Sequence, residues 1–420
     1  MNLSVRTSPF PLLLAGLVSV WMLLAAPVAA DVQRLPVAGS GAGGAALAAG
    51  VPRPPSDVTA ASYTLLDFDS GLPLATRDPD VEREPASLTK LMTAYVVFGE
   101  IRAGRMGLED RVTISERAWR TGMRGASRMF IEVGEEVEVE DLLRGMIVQS
   151  GNDASTALAE HVAGSEGAFV DLMNAQAREL GMMRSYFANP HGLPSDEAQY
   201  TTAEDMARLA RALIRDFPDL YSYYSERSFE YNDITQRNRN MLLWRDAGFD
   251  GLKTGWTSGA GYNLVSSAER NGRRLVAVVM GVEASDHQQG GTRRANESQA
   301  LVNWGMRFTA TRKLFEGGYE LGSPRVYSGM ETAVPVGLAD DFWVMVPPGR
   351  EDDLDASMEV HQPLRAPLAA GQPVGEVVVR LNDEVLRAQP LVALQGVEQG
   401  GLVRRLWDEA VLSIQSVWPF

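Results

Sequence analysis

The residues best suited to chemistry in this chain are a serine and a lysine three positions apart, Ser87 and Lys90. Apolar residues recur at helical spacing after Pro85, which predicts a helix over 85–97. Residues three apart lie on one helix face, so the lysine amine can reach the serine hydroxyl. A serine becomes a strong nucleophile when a neighbouring base takes its proton, and a lysine with a neutral amine can be that base. The pair therefore predicts covalent catalysis, with one oxyanion donor supplied by the Ser87 N–H at the helix start.

A second hydroxyl and an amide occur in the run Ser150-Gly151-Asn152. Residues 141–149 and 154–162 are apolar at helical spacing, so the run joins two predicted helices, with Asn152 or Asp153 expected as an N-cap. Such a run could be only a capping turn. Beside a serine nucleophile, however, it supplies what an expelled amine needs, a hydroxyl that passes on a proton. We therefore expect Ser150 to be a proton relay.

The third run, Lys253-Thr254-Gly255, lies in a predicted strand over 249–257. A second strand follows, and Asn271-Gly272 then turns the chain into a third, which is a strong hairpin signal. A positive charge at Lys253 would help to keep the Lys90 amine neutral. Lys253 and Thr254 can also bind the carboxylate at the end of a peptide, and Gly255 lets a peptide backbone approach the strand edge.

Taken together, the three runs resemble those of the penicillin-recognising acyl-serine enzymes. The chain is similar to the low-molecular-mass penicillin-binding proteins, specifically the type-5 D-alanyl-D-alanine carboxypeptidases of Gram-negative bacteria. The likeness extends over nearly the whole mature chain and includes 150–154, 253–264 and 364–368. It implies a hydrolase without a cofactor that removes the terminal D-alanine of peptidoglycan pentapeptide stems through an acyl-Ser87 intermediate, which limits cross-linking and influences cell shape. It also implies covalent inhibition by β-lactam antibiotics.

The resemblance assigns roles to further residues. Asn152 is expected to contact the substrate amide, and Arg239 matches an arginine that the family holds near the substrate carboxylate. The main-chain N–H of Trp256 is expected as the second oxyanion donor. Relatives usually have histidine at this position, so Trp256 is a departure that leaves the main-chain contact intact and bears on specificity and rate.

Composition narrows the class of protein further. There is no cysteine, which excludes disulfides and thiolate chemistry, and the four histidines have no metal-ligand spacing, so no metal site is expected. A net charge of −15 argues against nucleic acid as a partner. Residues 1–30 have the basic start, apolar stretch and Val28-Ala29-Ala30 end of a signal peptide. The protein is expected to be exported to the periplasmic face of the inner membrane.

The expected fold class is α+β. After the signal peptide, residues 31–60 are expected to be a flexible lead-in rich in glycine, alanine and proline. Residues 61–315 are expected to form a penicillin-binding or β-lactamase-like catalytic domain, with an antiparallel sheet flanked by helices and a helical subdomain. From 316 to 402, short β-rich segments separated by glycine and proline predict a small all-β domain.

The last residues, 403–420, predict an amphipathic helix with apolar side chains along one face. Its charges cancel, so binding to the inner-membrane surface would depend on apolar burial and on terminal aromatic residues. Such a helix could instead dock on the β domain. The resemblance favours a peripheral membrane anchor.

Three other functions share part of this pattern. A class A β-lactamase normally has aspartate where this chain has Gly151, needs a deacylating glutamate for which no matching segment is evident, and lacks a β domain and tail. A D,D-endopeptidase would use the same residues and stays open. A wall-binding protein without catalysis would not need Ser87, Lys90, Ser150 and Lys253 together.

Overall fold

The computed structural model describes residues 50–123 and 126–417. The predicted signal peptide, residues 31–49 of the lead-in and residues 418–420 of the tail lie outside them.

Regular elements run through most of the described chain. The strands are β1 (Ser62–Asp67), β2 (Pro73–Arg77), β3 (Arg111–Thr113), β4 (Glu136–Glu138), β5 (Ser228–Tyr231), β6 (Ile234–Arg237), β7 (Phe249–Thr257), β8 (Gly261–Arg270), β9 (Arg273–Val282), β10 (Ala310–Phe315), β11 (Glu320–Gly322), β12 (Val326–Tyr327), β13 (Val336–Leu338), β14 (Phe342–Val346), β15 (Leu354–Val360), β16 (Leu364–Arg365), β17 (Pro373–Leu381) and β18 (Glu384–Ala393). The helices are α1 (Lys90–Arg102), α2 (Glu116–Thr121), α3 (Val139–Val148), α4 (Asn152–Ala163), α5 (Glu166–Glu179), α6 (Ala203–Asp216), α7 (Pro218–Tyr221), α8 (Leu242–Arg245), α9 (His287–Phe308) and α10 (Leu402–Val417). Short 3₁₀ turns occur at Ala86–Thr89, Ser222–Ser225 and Glu351–Asp353.

The centre of the catalytic domain is a five-stranded sheet in the order β2–β1–β9–β8–β7 with antiparallel neighbours. The predicted hairpin from β8 to β9 is confirmed, and β1 and β2 form a second antiparallel pair at the start of the domain. Asn271 and Gly272 have φ of 54° and 76°, as the tight turns of two-residue hairpins require. β7, which carries the third motif, is an edge strand of this sheet.

Both faces of the sheet are buried, and alternation along β9 divides its side chains between two cores. Val276, Val278 and Met280 pack on the helical side, where α1, α3, α4 and α6 contribute to the core. Their neighbours in β9 pack on the other side against α9, which starts at His287. Every residue from Lys90 to Phe98 is buried, so α1 is a central helix of the domain.

The described part of the lead-in, residues 50–60, is irregular but packed, so the expectation of flexibility is wrong for it. Val58 and Ala60 are buried, and Thr59 and Ala60 both donate hydrogen bonds to the Glu297 carboxylate. The Trp304 indole donates to the Pro52 carbonyl at 3.0 Å. Side chains of α9 therefore fix this segment to the catalytic domain.

A C-terminal all-β domain follows, as expected. Its main sheet has the order β11–β13–β18–β17–β15, and the pairs β10–β14 and β12–β16 complete it around a separate apolar core. Asp67 of β1 accepts hydrogen bonds from Arg273 and from Thr311 of β10, which ties this domain to the central sheet.

The predicted tail helix is present as α10, but its polar face is the one that contacts the β domain. Asp408 is buried, accepts the Ser328 N–H at 2.7 Å and pairs with Arg325 and Arg404. Apolar side chains on the helix are exposed: Leu402, Val403, Leu406, Trp407 and Ile414. Within the described ranges, no helix is long and apolar enough to cross a membrane.

Candidate active site

Ser87 lies in the 3₁₀ turn Ala86–Thr89, which leads directly into α1 at Lys90. Ala86, the residue before it, has φ of 48°, in the left-handed region that costs free energy for a residue with a Cβ. Ser87 is partly exposed, whereas Leu88, Thr89 and Lys90 are buried. The turn therefore presents one reactive hydroxyl to solvent from an otherwise buried segment.

The Lys90 amine contacts three oxygen atoms. Its Nζ lies 3.1 Å from Ser87 Oγ, 2.7 Å from Asn152 Oδ1 and 2.6 Å from the His191 carbonyl oxygen. A neutral amine has two N–H groups and one lone pair. The amide and carbonyl oxygens can only accept, so they take the two N–H groups and the lone pair is left facing the serine hydroxyl. This is the arrangement that a general base needs.

The pKa of Lys90 is well below its usual value, chiefly because the amine is buried and also because of the positive charge of Arg239, while Asp153 opposes the shift. Lys253 is likewise depressed in pKa by burial, by Lys90 and by the arginines Arg239 and Arg294. The positive charge that lowers the pKa of Lys90 is therefore that of Arg239, whereas the sequence predicted it at Lys253. Lys253, Arg239 and Arg294 together form a cationic wall beside the Lys90 amine, which favours binding of an anion.

Ser150 lies between α3 and α4 with φ of 69°, another strained backbone position. Its Oγ is buried and has no hydrogen-bond partner among the described residues, so it can receive a proton or a substrate contact. The expectation that Asn152 or Asp153 caps α4 is wrong, because Gly151 is the N-cap and both side chains are engaged elsewhere. Asn152 accepts from Lys90, and Asp153 accepts from the main chain of Met129.

Asp153 fixes the segment of residues 127–130, which passes beside Asn152. Its carboxylate accepts the N–H groups of Met129 and Phe130 at 2.9–3.1 Å, and the Asn152 N–H donates to the Ser127 carbonyl at 2.9 Å. This segment is one wall of the site. This wall was not predicted from the sequence, because a carboxylate that binds main-chain N–H groups 23–24 residues away leaves no local pattern.

The third motif forms the opposite wall. Lys253 and Thr254 are nearly buried in β7, and Lys253 Nζ donates to the Thr254 carbonyl at 3.2 Å. Side chains alternate along a strand, so Thr254 and Trp256 share one face and Lys253 and Gly255 the other. Trp256 is 44% exposed. Its indole packs edge-on against the His287 imidazole, with the two ring centroids 4.3 Å apart.

Gly255 allows β7 to pack directly against the nucleophile turn. A Cβ at this position would lie 3.1 Å from the Pro85 carbonyl oxygen and 3.3 Å from Leu88 N. The glycine is therefore required by the approach of the protein's own backbone, whereas the sequence suggested the approach of a substrate. Asn263 strengthens the same contact, because its Nδ2 donates to the carbonyls of Glu84 and Pro85.

Two functional groups in the site had no sequence signal. Arg294 of α9 is buried, donates to the Gly255 and Asn263 carbonyls at 3.1 and 3.3 Å, and has a pKa lowered to about 10, first by burial and then by Arg239. His191, one of the four histidines without metal-ligand spacing, supplies the carbonyl that binds Lys90. Arg239 as a whole residue is exposed, but its guanidinium is surrounded by protein atoms, and this burial lowers the pKa of the guanidinium.

The arrangement is suited to acyl transfer through a serine. It combines an accessible hydroxyl, a depressed lysine amine in contact with it, a free second hydroxyl and a cationic wall. Among residues 50–123 and 126–417, no group of three or more histidine, aspartate or glutamate side chains could hold a metal ion.

Comparisons with known proteins agree with this geometry. A family model described as D-alanyl-D-alanine carboxypeptidase matches residues 48–284, which include all three motifs, and one described as penicillin-binding protein 5, C-terminal domain, matches residues 310–399. D-alanyl-D-alanine carboxypeptidase DacA of Haemophilus influenzae is 41% identical over 367 residues, 87% of this chain and 92% of the relative.

Solved structures of penicillin-binding proteins are also similar to this chain. Penicillin binding protein 5 from Haemophilus influenzae matches with a TM-score of 0.74 at 41% identity, covering 83% of this chain and 100% of that chain. Penicillin-binding protein D2 from Listeria monocytogenes, in an ampicillin-bound form, matches with a TM-score of 0.54 at 26% identity, covering 60% of this chain and 100% of that chain.

Proposed function

Because the chain belongs to the D-alanyl-D-alanine carboxypeptidase family of serine peptidases, we propose that Ser87 is the residue acylated in its reaction. The protein is a penicillin-binding enzyme whose substrate is a peptidoglycan stem peptide ending in D-Ala-D-Ala. The observation that carries the assignment is the buried Lys90 amine, 3.1 Å from Ser87 Oγ and held by two oxygen acceptors.

In the first step, Lys90 takes the Ser87 proton as the oxygen attacks the carbonyl carbon of the penultimate D-alanine. Negative charge develops on the carbonyl oxygen, where the N–H groups of Ser87 and Trp256 are the proposed donors. The first turn of a helix leaves its N–H groups without intrahelical partners, which supports Ser87 in this role.

In the second step, the peptide bond breaks and the terminal D-alanine leaves as an amine that needs a proton. The buried Ser150 hydroxyl, without another partner in the described structure, is the proposed relay for that proton from Lys90. Water then hydrolyses the acyl-enzyme, and Lys90 serves again as the base. Asn152, whose Oδ1 already accepts from Lys90, can offer its Nδ2 to the substrate amide.

The preference for a free terminal carboxylate is assigned to the cationic wall. Lys253 and Thr254 are proposed to bind the carboxylate directly, and Arg239 to attract it. Gly255 and Trp256 continue the same edge strand, along which the peptide main chain can add. A β-lactam presents a comparable carboxylate and a strained amide, so it would acylate Ser87 by the same steps.

The test is to identify the products from a pentapeptide stem by mass spectrometry. The proposal predicts a tetrapeptide and free D-alanine from the wild-type enzyme and no cleavage by Ser87→Ala. Cleavage of a cross-linked dimer at a rate equal to that of the pentapeptide would favour the endopeptidase alternative. Cleavage by Ser87→Ala would contradict the role of Ser87.

We also propose that the protein is held at the periplasmic face of the inner membrane by the exposed apolar side chains of α10. Three observations support this. The helix is attached to the β domain through Asp408 on its polar side, Val403 and Trp407 are 84% and 68% exposed, and residues 1–30 have the pattern of a signal peptide. The proposed domain limits are 61–315 for catalysis, 316–402 for the β domain and 403–420 for the anchor.

A further inference from the structure

The loop of residues 189–193 determines where the Lys90 amine sits relative to Ser87. Its His191 carbonyl accepts the shortest hydrogen bond of the amine, at 2.6 Å. Its Gly192 packs so closely on the nucleophile turn that a Cβ there would lie 1.8 Å from the Ala86 carbonyl oxygen. The same loop thus contacts Lys90 and the turn that carries Ser87, and a shift of the loop would change the separation of the two side chains.

The His191 imidazole is enclosed by fixed partners. Its Nδ1 accepts the Leu193 N–H at 3.1 Å, so this nitrogen carries no proton, and the neutral ring has its proton on Nε2. Nε2 lies 3.6 Å from a Glu166 carboxylate oxygen. The other oxygen of Glu166 accepts from Arg117 at 2.6 Å. The ring therefore contacts its own loop on one side and faces Glu166 of α5 on the other, and Arg117 of α2 fixes that carboxylate.

The charged groups that face the ring are Lys90 of α1, Glu166 of α5 and Arg117 of α2. Burial lowers the pKa of His191 most. Glu166 raises it, and Lys90 and Arg117 lower it further, so that the imidazole is neutral over a wider range of pH than a free histidine. A proton on Nδ1 would point at the Leu193 N–H and break that contact.

We propose that the His191 side chain is a positioning residue for the general base: its neutral ring, held by Leu193 and Glu166, keeps the 189–193 loop in the place where its carbonyl aims the Lys90 lone pair at Ser87. The inference rests on the proposed role of Lys90. Protonation of His191 releases the loop, so acylation is lost at low pH in two steps, protonation of Lys90 and protonation of His191.

The experiment measures the acylation rate constant with a labelled penicillin, separately from its initial binding constant, across acidic pH. For the wild type, the rate should fall with the second power of proton concentration at the acid end. His191→Asn keeps an oxygen near the Nδ1 position but cannot titrate, so its rate should fall with the first power only. His191→Ala should lower the acylation rate about ten- to a hundredfold at every pH, since small displacements of reacting groups have effects of this size, and should leave initial binding unchanged.

Two charge variants and a control sharpen the test without removing the ring. Glu166→Gln should move the loss of acylation that protonation of His191 causes (the acid step) to lower pH, because the carboxylate raises the pKa of His191. Arg117→Gln should move the same step to higher pH, because Arg117 lowers that pKa. Asp171→Asn, an exposed carboxylate of the same helix α5, should leave it in place. These shifts remain measurable if a His191 variant does not fold.

The proposal is overturned if His191→Asn keeps the second-power fall, or if the Glu166 and Arg117 variants shift the acid step in the same direction. Failure of the Lys90 assignment would look different, because Lys90 variants would then acylate normally whatever the state of His191.

Discussion

At the scale of single residues, Lys90 depends on its surroundings to act as a base. A free lysine amine has a pKa of about 10.4 and is almost fully protonated at neutral pH. Burial and the positive charge of Arg239 shift the balance toward the neutral amine, and three oxygen atoms fix its direction. The same burial that would be a cost in a structural lysine is thus the source of reactivity here.

This gives a prediction for Lys90 itself. Acylation requires the deprotonated amine, so its rate should rise with pH and reach a plateau well below pH 10.5, because the pKa is lowered. Lys90→Arg keeps a charge but cannot give up its proton, and we expect acylation to fall about 10²–10⁴-fold, the usual contribution of a general base. Rapid-quench measurements with a labelled penicillin check both. An arginine variant that acylates at the wild-type rate would show that the base lies elsewhere.

Thr254 gives a prediction about the terminal carboxylate. A hydrogen bond to a charged group contributes about 1.5–3 kcal/mol, or about ten- to a hundredfold in a rate or binding constant. Thr254→Val should reduce kcat/KM by this factor for peptides with a free C-terminal carboxylate and hardly change it for C-terminal amides. Steady-state kinetics on the matched pair of peptides is the measurement, and equal losses on both would mean that Thr254 does not contact the carboxylate. It is a cleaner probe than Lys253, whose own pKa is lowered by burial, by Lys90 and by the two arginines of the site.

Sequence reasoning identified the residues that belong to short motifs and missed those that reach the site from a distance. Ser87 and Lys90 were recognisable because three positions make one helical turn. His191 binds Lys90 from 101 residues away through a main-chain oxygen, which any residue type could supply. Arg294 likewise acts on main-chain carbonyls of β7 and β8. Such contacts follow from the packing of distant elements, so no regular residue spacing in the sequence predicts them.

At the scale of elements, the site exists where three backbone segments approach unusually closely. The nucleophile turn lies against β7 on one side, through Gly255, and against the 189–193 loop on the other, through Gly192. Asn263 and Asn189 fix these segments with side-chain amides: Asn263 binds the carbonyls of residues 84 and 85, and Asn189 closes its own loop. The position of Ser87 is therefore set by backbone contacts on both sides.

Gly192 provides a test of this close approach, with Gly104 as its control. Both have positive φ, 81° and 69°, so alanine is strained at either position, but a Cβ at Gly104 meets nothing within 4 Å. We expect Gly104→Ala to lower the free energy of unfolding by about 1 kcal/mol. Gly192→Ala adds a clash with the Ala86 carbonyl and should cost more than twice as much and reduce acylation. Denaturant unfolding and penicillin labelling give the two readouts, and equal effects of the two substitutions would contradict the account.

The elements themselves were largely predictable. The β-rich runs and Asn271-Gly272 predicted the hairpin that presents the third motif, and helical periodicity predicted the helices on either side of Ser150. The predicted cap of α4 was wrong because asparagine and aspartate at a helix start have other possible partners, here Lys90 and the Met129 main chain. The N-cap preference considers only neighbouring residues, so it takes no account of hydrogen-bond partners from distant elements.

At the scale of the whole molecule, a strongly acidic chain encloses a cationic site. The net charge is −15, yet Arg239 lowers the pKa of Lys90, Lys253 and Arg294 within the cleft. A local positive field in a negative protein favours a substrate that offers its negative charge at one end. The net charge argued against nucleic acid as a partner, but only the fold brings these four side chains together.

The tail helix carries a prediction for the molecule as a whole. Trp407→Gln removes a large exposed apolar group from α10, so sedimentation with vesicles of zwitterionic lipid should weaken about tenfold or more, since burying an aromatic side chain contributes about 1.5–3 kcal/mol. Activity on a soluble peptide should not change. Arg405→Gln, on an exposed polar position of the same helix, is the matched control and should bind the vesicles like the wild type. Equal binding of Trp407→Gln and the wild type would contradict the anchor.

The central claim, that Ser87 is the acylated nucleophile, is tested most directly by locating the covalent label. The protein is incubated with a labelled penicillin and digested, and the modified peptide is sequenced by mass spectrometry. We predict that the label is on Ser87 in the wild type and is absent from Ser87→Ala, while Ser150→Ala is still labelled at Ser87 but more slowly. A label on any other residue, or labelling of Ser87→Ala at the wild-type rate, would contradict the account.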